Sequence, residues 1–301
     1  MIFCYYGENE VKLNKWSYTM IAPIKQKKPI GIVLWRGPSL IDGKPIAVIA
    51  TGVYGKSKNA KTGDMIQTYI IRTDIHPMLA RRLGLDCSVC GDCMHREQST
   101  CYVNLCHGPI NVFIAHTVGS YKDFEAGDIE LFKGRNIRLG SYGDPAAAPY
   151  NIWETLAAVS DTFTGYTHQW RKCDQRLKNI CMASVDSIVG YMKEYHAANK
   201  MGWRTFRIRE SADNALMENE FICPASKEGG VKTTCERCGS CAGNSRDTIK
   251  CPVIGLHADS PELGFWRLAR YIKIMKKRRD KKGWRRNYKN VIKLFKRYCP
   301  F

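Results

Sequence analysis

Acidic side chains are scarce in this sequence: 28 Asp and Glu stand against 47 Lys and Arg, for a formal charge of +19. Long apolar runs are missing too. None approaches the roughly 18–20 residues that a membrane span needs, so no membrane partner is expected. The opening Met1-Ile-Phe-Cys-Tyr-Tyr-Gly-Glu has neither a basic n-region nor an apolar core, and no signal peptide is expected. Low-complexity stretches are absent, and an apolar fraction of 44% with 11% aromatics excludes a disordered chain. What remains is a soluble protein of a reducing cytoplasm. Its 301 residues suffice for one large barrel or for a medium domain with appendages.

The shortage of acid is local. Residues 265–301 hold 15 basic residues and one acid, or +14, which leaves +5 for the rest. Phe265, Leu268, Ala269 and Ile272 recur at helical spacing, as do Tyr288, Val291, Ile292 and Phe295. Asp280-Lys-Lys-Gly283 separates the two expected amphipathic helices. If their apolar stripes dock on the body, the other faces present Lys276, Lys277, Arg278, Arg279, Lys281, Lys282, Arg285 and Arg286. Such density suits an anionic partner, nucleic acid before membrane, with Trp284 and Tyr288 able to stack on bases or to pack.

Cysteine is abundant, and ten of the 14 fall into two groups of five. The first is Cys87, Cys90, Cys93, Cys101 and Cys106; the second is Cys223, Cys235, Cys238, Cys241 and Cys251. Each contains C-x2-C-x2-C, a spacing that random placement would seldom produce once. Structural zinc usually takes separated C-x2-C pairs. Three close cysteines with one distant partner suit a cubane, and Cys223 is followed by Pro224, as remote ligands of ferredoxin clusters often are. A [4Fe–4S] cluster on Cys223, Cys235, Cys238 and Cys241 is therefore expected ahead of zinc. Cys90, Cys93, His95 and Cys101 could form a Cys3His zinc site. They could equally supply three ligands of a second cluster, with Cys87 or Cys106 as the fourth or with one iron left open. Cys4, Cys173, Cys181 and Cys299 are isolated and read as small buried hydrophobes.

Four segments emerge. Residues 1–83 read as β-rich, 84–134 carry the first cysteine loop, 135–258 alternate strand and helix, and 259–301 form the tail. In the third, strands are expected at Asn136–Ser141, Thr164–Gln169, Ile180–Val185, Trp203–Arg209 and Phe221–Cys223. Helices are expected at Ile152–Phe163, Lys172–Lys178, Asp186–Gly202 and Ala212–Asn219. Such alternation marks a parallel α/β sheet or a barrel, with chemistry at the C-terminal strand ends. There stand Ser141, Tyr142, Asp144, Thr167, His168, Gln169, Ser184, Asp186, Arg209, Glu210 and Ser226. Asp144 and His168 are candidate proton donors or acceptors and Arg209 a candidate anion clamp; a helix cap, a core histidine and an ion pair are the plainer readings. Cys223 lies on the same rim.

One motif fails on context. Ala50-Thr-Gly-Val-Tyr-Gly-Lys-Ser57 nearly spells a phosphate-binding loop, but turn residues follow instead of the helix that must hold the phosphate. A hairpin with a long polar loop is expected there.

Several segments together carry a resemblance. They are Arg36-Gly-Pro-Ser-Leu-Ile-Asp-Gly, Asn59-Ala-Lys-Thr-Gly-Asp-Met-Ile-Gln, Cys90-Gly-Asp-Cys-Met-His-Arg, Cys101-Tyr-Val-Asn, Tyr142-Gly-Asp-Pro-Ala-Ala and Gly165-Tyr-Thr-His-Gln-Trp-Arg. Met182-Ala-Ser-Val-Asp, Gly202-Trp-Arg-Thr-Phe-Arg, Cys223-Pro-Ala-Ser and Thr234-Cys complete them. Over residues 36–257 the chain resembles an uncharacterised phage-encoded iron–sulfur family that looks like a relative of the radical-SAM-type barrel. The resemblance implies a partial or complete (βα) barrel, residence in the cytoplasm of an infected bacterial host, and a metal role for Cys90, Cys93, Cys101, Cys223, Cys235, Cys238 and Cys241. The match is less close at Cys87, Cys106 and Cys251, and the tail lies outside it. The C-x3-C-x2-C spacing of radical S-adenosylmethionine enzymes is missing, so binding of S-adenosylmethionine stays an open expectation.

Two functions follow from these readings. The first is an iron–sulfur protein of redox or radical chemistry on an α/β barrel. The alternative is a non-enzymatic, metal-stabilised nucleic-acid-binding protein of phage replication or host takeover. A zinc-dependent deaminase is disfavoured, because H-x-E with P-C-x2-C is absent.

Overall fold

The computed structural model describes residues 29–57, 59–97, 101–185, 191–209, 215–246 and 248–255. The basic tail with Lys276–Arg286, together with Asp186, Glu210, Cys4 and Cys299, lies outside the described residues.

Eleven strands are described. The first six are β1 (Gly31–Pro38), β2 (Pro45–Thr51), β3 (Ile66–Arg72), β4 (Lys122–Asp123), β5 (Asn136–Tyr142) and β6 (Thr162–Thr164). They form one sheet in the order β4-β1-β2-β3-β5-β6. Strands β7 (Tyr166–Thr167), β8 (Met182–Val185), β9 (Thr205–Arg209), β10 (Glu220–Ile222) and β11 (Cys251–Gly255) form a second, ordered β10-β11-β9-β8-β7. β1, β2 and β3 pair antiparallel as an entry meander. From β3 onward every pairing is parallel: β3 with β5, β5 with β6, β7 with β8, β8 with β9, β9 with β11, and β11 with β10.

A single residue, Gly165, separates β6 from β7, so the chain passes there from one sheet to the other. Its N–H donates to the Cys241 carbonyl at 3.1 Å, and its own carbonyl accepts from Met182 at 2.9 Å. A Cβ at this position would lie 2.7 Å from the Cys181 sulfur and 3.2 Å from Leu139. Glycine lets the backbone approach this closely.

Among the described residues, seven α-helical segments connect the strands, beside short 3-10 turns: α1 (Pro77–Arg82), α2 (Cys87–Cys90), α3 (Met94–Glu97), α4 (Pro109–Thr117), α5 (Tyr150–Val159), α6 (Tyr191–Lys200) and α7 (Cys235–Cys238). One core joins the sheets and their helices: Ile46, Val48, Ile70, Leu139 and Val185 pack with Trp153 from α5, Tyr195 and Ala198 from α6, and Trp203. Trp153 directs its indole N–H to the Pro145 carbonyl at 2.8 Å, satisfying the polar tip that burial of a tryptophan leaves behind.

The expected alternation appears with local differences. The short helix expected at Lys172–Lys178 is a 3-10 turn at Gln175–Asn179, and the strand expected from Thr164 is divided by Gly165. No helix forms over 215–219. Glu220 draws that segment into a turn, accepting from the Met217 N–H at 2.9 Å while also holding Arg207 at 2.7 Å. β11 was not anticipated; it inserts between β9 and β10. No helix is found among the described residues between Thr51 and Ile66, as the hairpin reading requires.

Candidate metal centre

Side chains from the parallel strands and both cysteine loops converge on one cavity of about 120 Å³. β5 contributes Arg138, Gly140 and Tyr142, β6 contributes Thr164, and β7 contributes Tyr166. Ser184, Phe206, Ile208 and Ile254 extend the lining across β8, β9 and β11. The i, i+2 spacing within β5 and β9 is that of a single sheet face.

Two walls are built by cysteine. Cys223, Cys235, Cys238 and Cys241 line one side, and Cys90, Cys93 and Cys101 with His95 line the other. Cys87, Cys106 and Cys251 do not line the cavity. Cys251 has a backbone role instead: its sulfur accepts from the Thr205 N–H at 3.3 Å and donates to the Ile249 carbonyl at 3.4 Å. Among the described residues, no group of three or more His, Cys, Asp or Glu forms a set that could hold a single metal ion.

The four-cysteine wall is anchored at each turn. Thr234 caps α7 by accepting from Arg237 at 3.4 Å, and Gly239 then takes a left-handed φ of 57°. That conformation favours glycine and returns the chain so that Cys241 reaches the same cavity. Arg204 grips the following loop by donating to the carbonyls of Ser240 at 3.1 Å and Gly243 at 2.6 Å. The polar loop that follows Ala50–Ser57 docks on α7: the N–H of Cys235 donates to the Lys61 carbonyl at 2.8 Å, and Glu236 accepts from the Asp64 N–H at 2.9 Å. At the end of β10, Ser226 closes a turn onto the Cys223 carbonyl at 2.7 Å.

The opposite wall rests on two short helical turns. Asp144 donates its N–H to the Val89 carbonyl at 2.6 Å, fixing α2 against the end of β5. Its carboxylate accepts from Ala146 at 2.9 Å and from the His168 N–H at 2.8 Å. Asp144 is thus a cap and a strand tie, and burial raises its pKa. His168 lines the cavity beside His95, with ring centroids 6.1 Å apart. Arg209 is buried at the end of β9 and does not belong to the cavity lining.

Burial raises the pKa of Cys223 and Cys101, pushes that of Cys241 up to about 12, and lifts that of Cys90 well above the ordinary thiol range. Neighbouring thiols reinforce these shifts. These side chains are held as neutral thiols at neutral pH, so making thiolates here is coupled to the arrival of positive charge.

Between the walls lie residues that the sequence did not single out. Arg138 is 6% exposed and donates to the Tyr102 hydroxyl at 2.8 Å. Its guanidinium lies 5.6 Å from the Tyr166 ring centroid, within cation–π range. Tyr166 and Cys241 both line the cavity beside it. Burial works against the charge of Arg138, yet Tyr102, Tyr166, Cys235 and Cys241 hold its pKa above the ordinary arginine value.

No protein-family model matches the chain, and neither curated proteins nor solved structures give a match.

Proposed function

We propose that this chain is an iron–sulfur protein of redox or radical chemistry, built on an incomplete (βα) barrel whose strand ends carry the metal. The observation that carries the reading is the convergence of Cys223, Cys235, Cys238 and Cys241 on one cavity, opposite Cys90, Cys93 and Cys101. The donor set fits a [4Fe–4S] cluster: four soft thiol ligands, three from one loop and one remote, with each iron of a cubane taking a single cysteine. Such a cluster supplies one-electron transfer when bound. The protein's part is to bury the thiols, exclude water, and set charge and hydrogen bonds around the sulfurs. The three-cysteine wall with His95 would take a second cluster rather than a single ion, since no His, Cys, Asp or Glu set among the described residues could hold one metal ion, and S-adenosylmethionine or another substrate would meet it inside the cavity.

Anaerobic purification with counts of iron, sulfide and zinc tests this. About four irons per chain, with a visible band bleached by dithionite, is the expected result. Cys238→Ala should lose that band, whereas Cys251→Ala should keep it at reduced stability. About eight irons would assign the second wall to a further cluster. A colourless protein holding zinc and no iron overturns the proposal.

The +14 of residues 265–301 favours a second activity carried by the same chain, the binding of nucleic acid through the tail.

A further inference from the structure

Among the described residues five arginines are buried, and carboxylates or backbone carbonyls account for three of them. Arg72 pairs with Asp74 at 2.7 Å, Arg207 with Glu220, and Arg204 is spent on backbone carbonyls. Arg138 differs. It stands in the middle of β5 and faces the cavity, where its partners are a phenol and an aromatic face rather than a carboxylate. Lys61 lies at the same cavity, its ammonium 6.0 Å from the Tyr102 ring centroid. Among the described residues no carboxylate pairs with either cation. A buried guanidinium without an anion is costly. Both cations share the cavity with Cys223, Cys235, Cys238 and Cys241, the wall where a bound centre would bring negative charge. On the three-cysteine wall, by contrast, cation and carboxylate are already paired, with Arg96 on the buried Asp86 at 3.3 Å.

We infer that Arg138, supported by Lys61, is the counter-charge of the centre held by Cys223, Cys235, Cys238 and Cys241, and that it sets the reduction potential of that centre. The inference rests on the iron–sulfur reading above. Four thiolates on an iron–sulfur core carry net negative charge, and one-electron reduction adds another unit. A fixed cation in a low-dielectric site favours the reduced form, so it raises the potential. Arg138 is thus a positioning and tuning residue, and its ring and phenol contacts hold the charge in place.

The test is an anaerobic redox titration with dithionite, followed by visible absorbance, alongside iron counts for each protein. Arg138→Gln should retain about four irons and shift the one-electron equilibrium at least tenfold toward oxidation, about 59 mV downward. Arg138→Lys should recover more than half of that shift. Lys61→Gln should lower the potential by a smaller step, and Lys133→Gln, on the exposed surface, should leave it unchanged. Arg138→Gln with its iron intact and a wild-type potential overturns the inference while leaving the iron–sulfur reading standing. Should Arg138→Gln fail to hold iron, an unshifted potential in Lys61→Gln overturns it. A wild-type protein without iron defeats the reading and the inference together.

Discussion

Single residues in this chain are committed by burial more than by sequence type, and His76 gives the sharpest consequence. Its Nδ1 accepts the Met78 N–H at 3.3 Å as the cap of α1, and its ring packs edge-on against Phe113. Burial lowers its pKa from 6.5 to about 4. The unfolded chain therefore takes up a proton at a pH where the folded chain does not. Stability from this group is intact above pH 6.5 and falls as pH drops toward 4, by about 2–3 kcal/mol. His76→Asn keeps a cap acceptor and removes the titration. Urea unfolding at pH 7 and pH 4.5 should show the variant gaining about that much on the wild type as the pH is lowered; equal acid losses would refute it. Arg138 shows the limit of reading residues from sequence. In Ile137-Arg-Leu139 alternation suggests a solvent-facing charge, but β5 lies between β3 and β6 and both its faces are covered. The seven cavity cysteines were legible because their spacing records one loop reaching several corners of a ligand. Arg138, Tyr102 and Tyr166 carry no such spacing, since they meet only across strands.

At the scale of elements, strands β5, β7, β8 and β9 were legible from apolar, β-branched runs bounded by turn residues, whereas Thr162 and Phe163 of β6 fall inside the expected helix, which ends at Val159. β11 was not, because Cys251-Pro-Val-Ile-Gly255 is short and opens on a cysteine that competes for a ligand reading. The partition between β6 and β7 was also hidden, although Gly165 marks it. The bend brings the backbone within reach of the Cys241 loop, and a side chain there has no room. Gly165→Ala should destabilise the protein by about 1–3 kcal/mol through overpacking. Because Gly165 N–H holds the Cys241 carbonyl, the same variant should lose metal faster to a chelator. Adding Cys181→Ala removes the atom nearest the new methyl and should restore part of the loss, measured as the unfolding midpoint of each single and of the double variant. A Gly165→Ala protein as stable as wild type would show that the bend tolerates a side chain.

The whole molecule joins a body of charge +5 to a tail of +14, and this asymmetry separates what metal and tail would each do. The metal reading concerns thiols turned inward at strand ends, whose occupancy depends on proton release and responds weakly to salt. Binding of nucleic acid by the tail would depend on released counterions, so its logarithm should fall linearly with the logarithm of salt concentration. Each Lys or Arg that neutralises a phosphate adds about 0.9 to that slope on duplex DNA and about 0.7 on single strands. Changing Lys276, Lys277, Arg278 and Arg279 to Gln should therefore weaken binding at every sequence and reduce the slope by up to about 3–4 on duplex DNA. The iron content and visible spectrum should not change. A chain ending at Asp259 should lose nucleic-acid binding at all salt concentrations yet keep its colour, which would establish two separable devices on one chain. If that shortened chain bound nucleic acid with an undiminished slope, the phosphate contacts would lie on the body, with Lys61 at the cavity as the first residue to change. If it lost iron as well, the tail's apolar stripes would belong to the core of the α/β body, and its basic faces would be the outer surface of that packing.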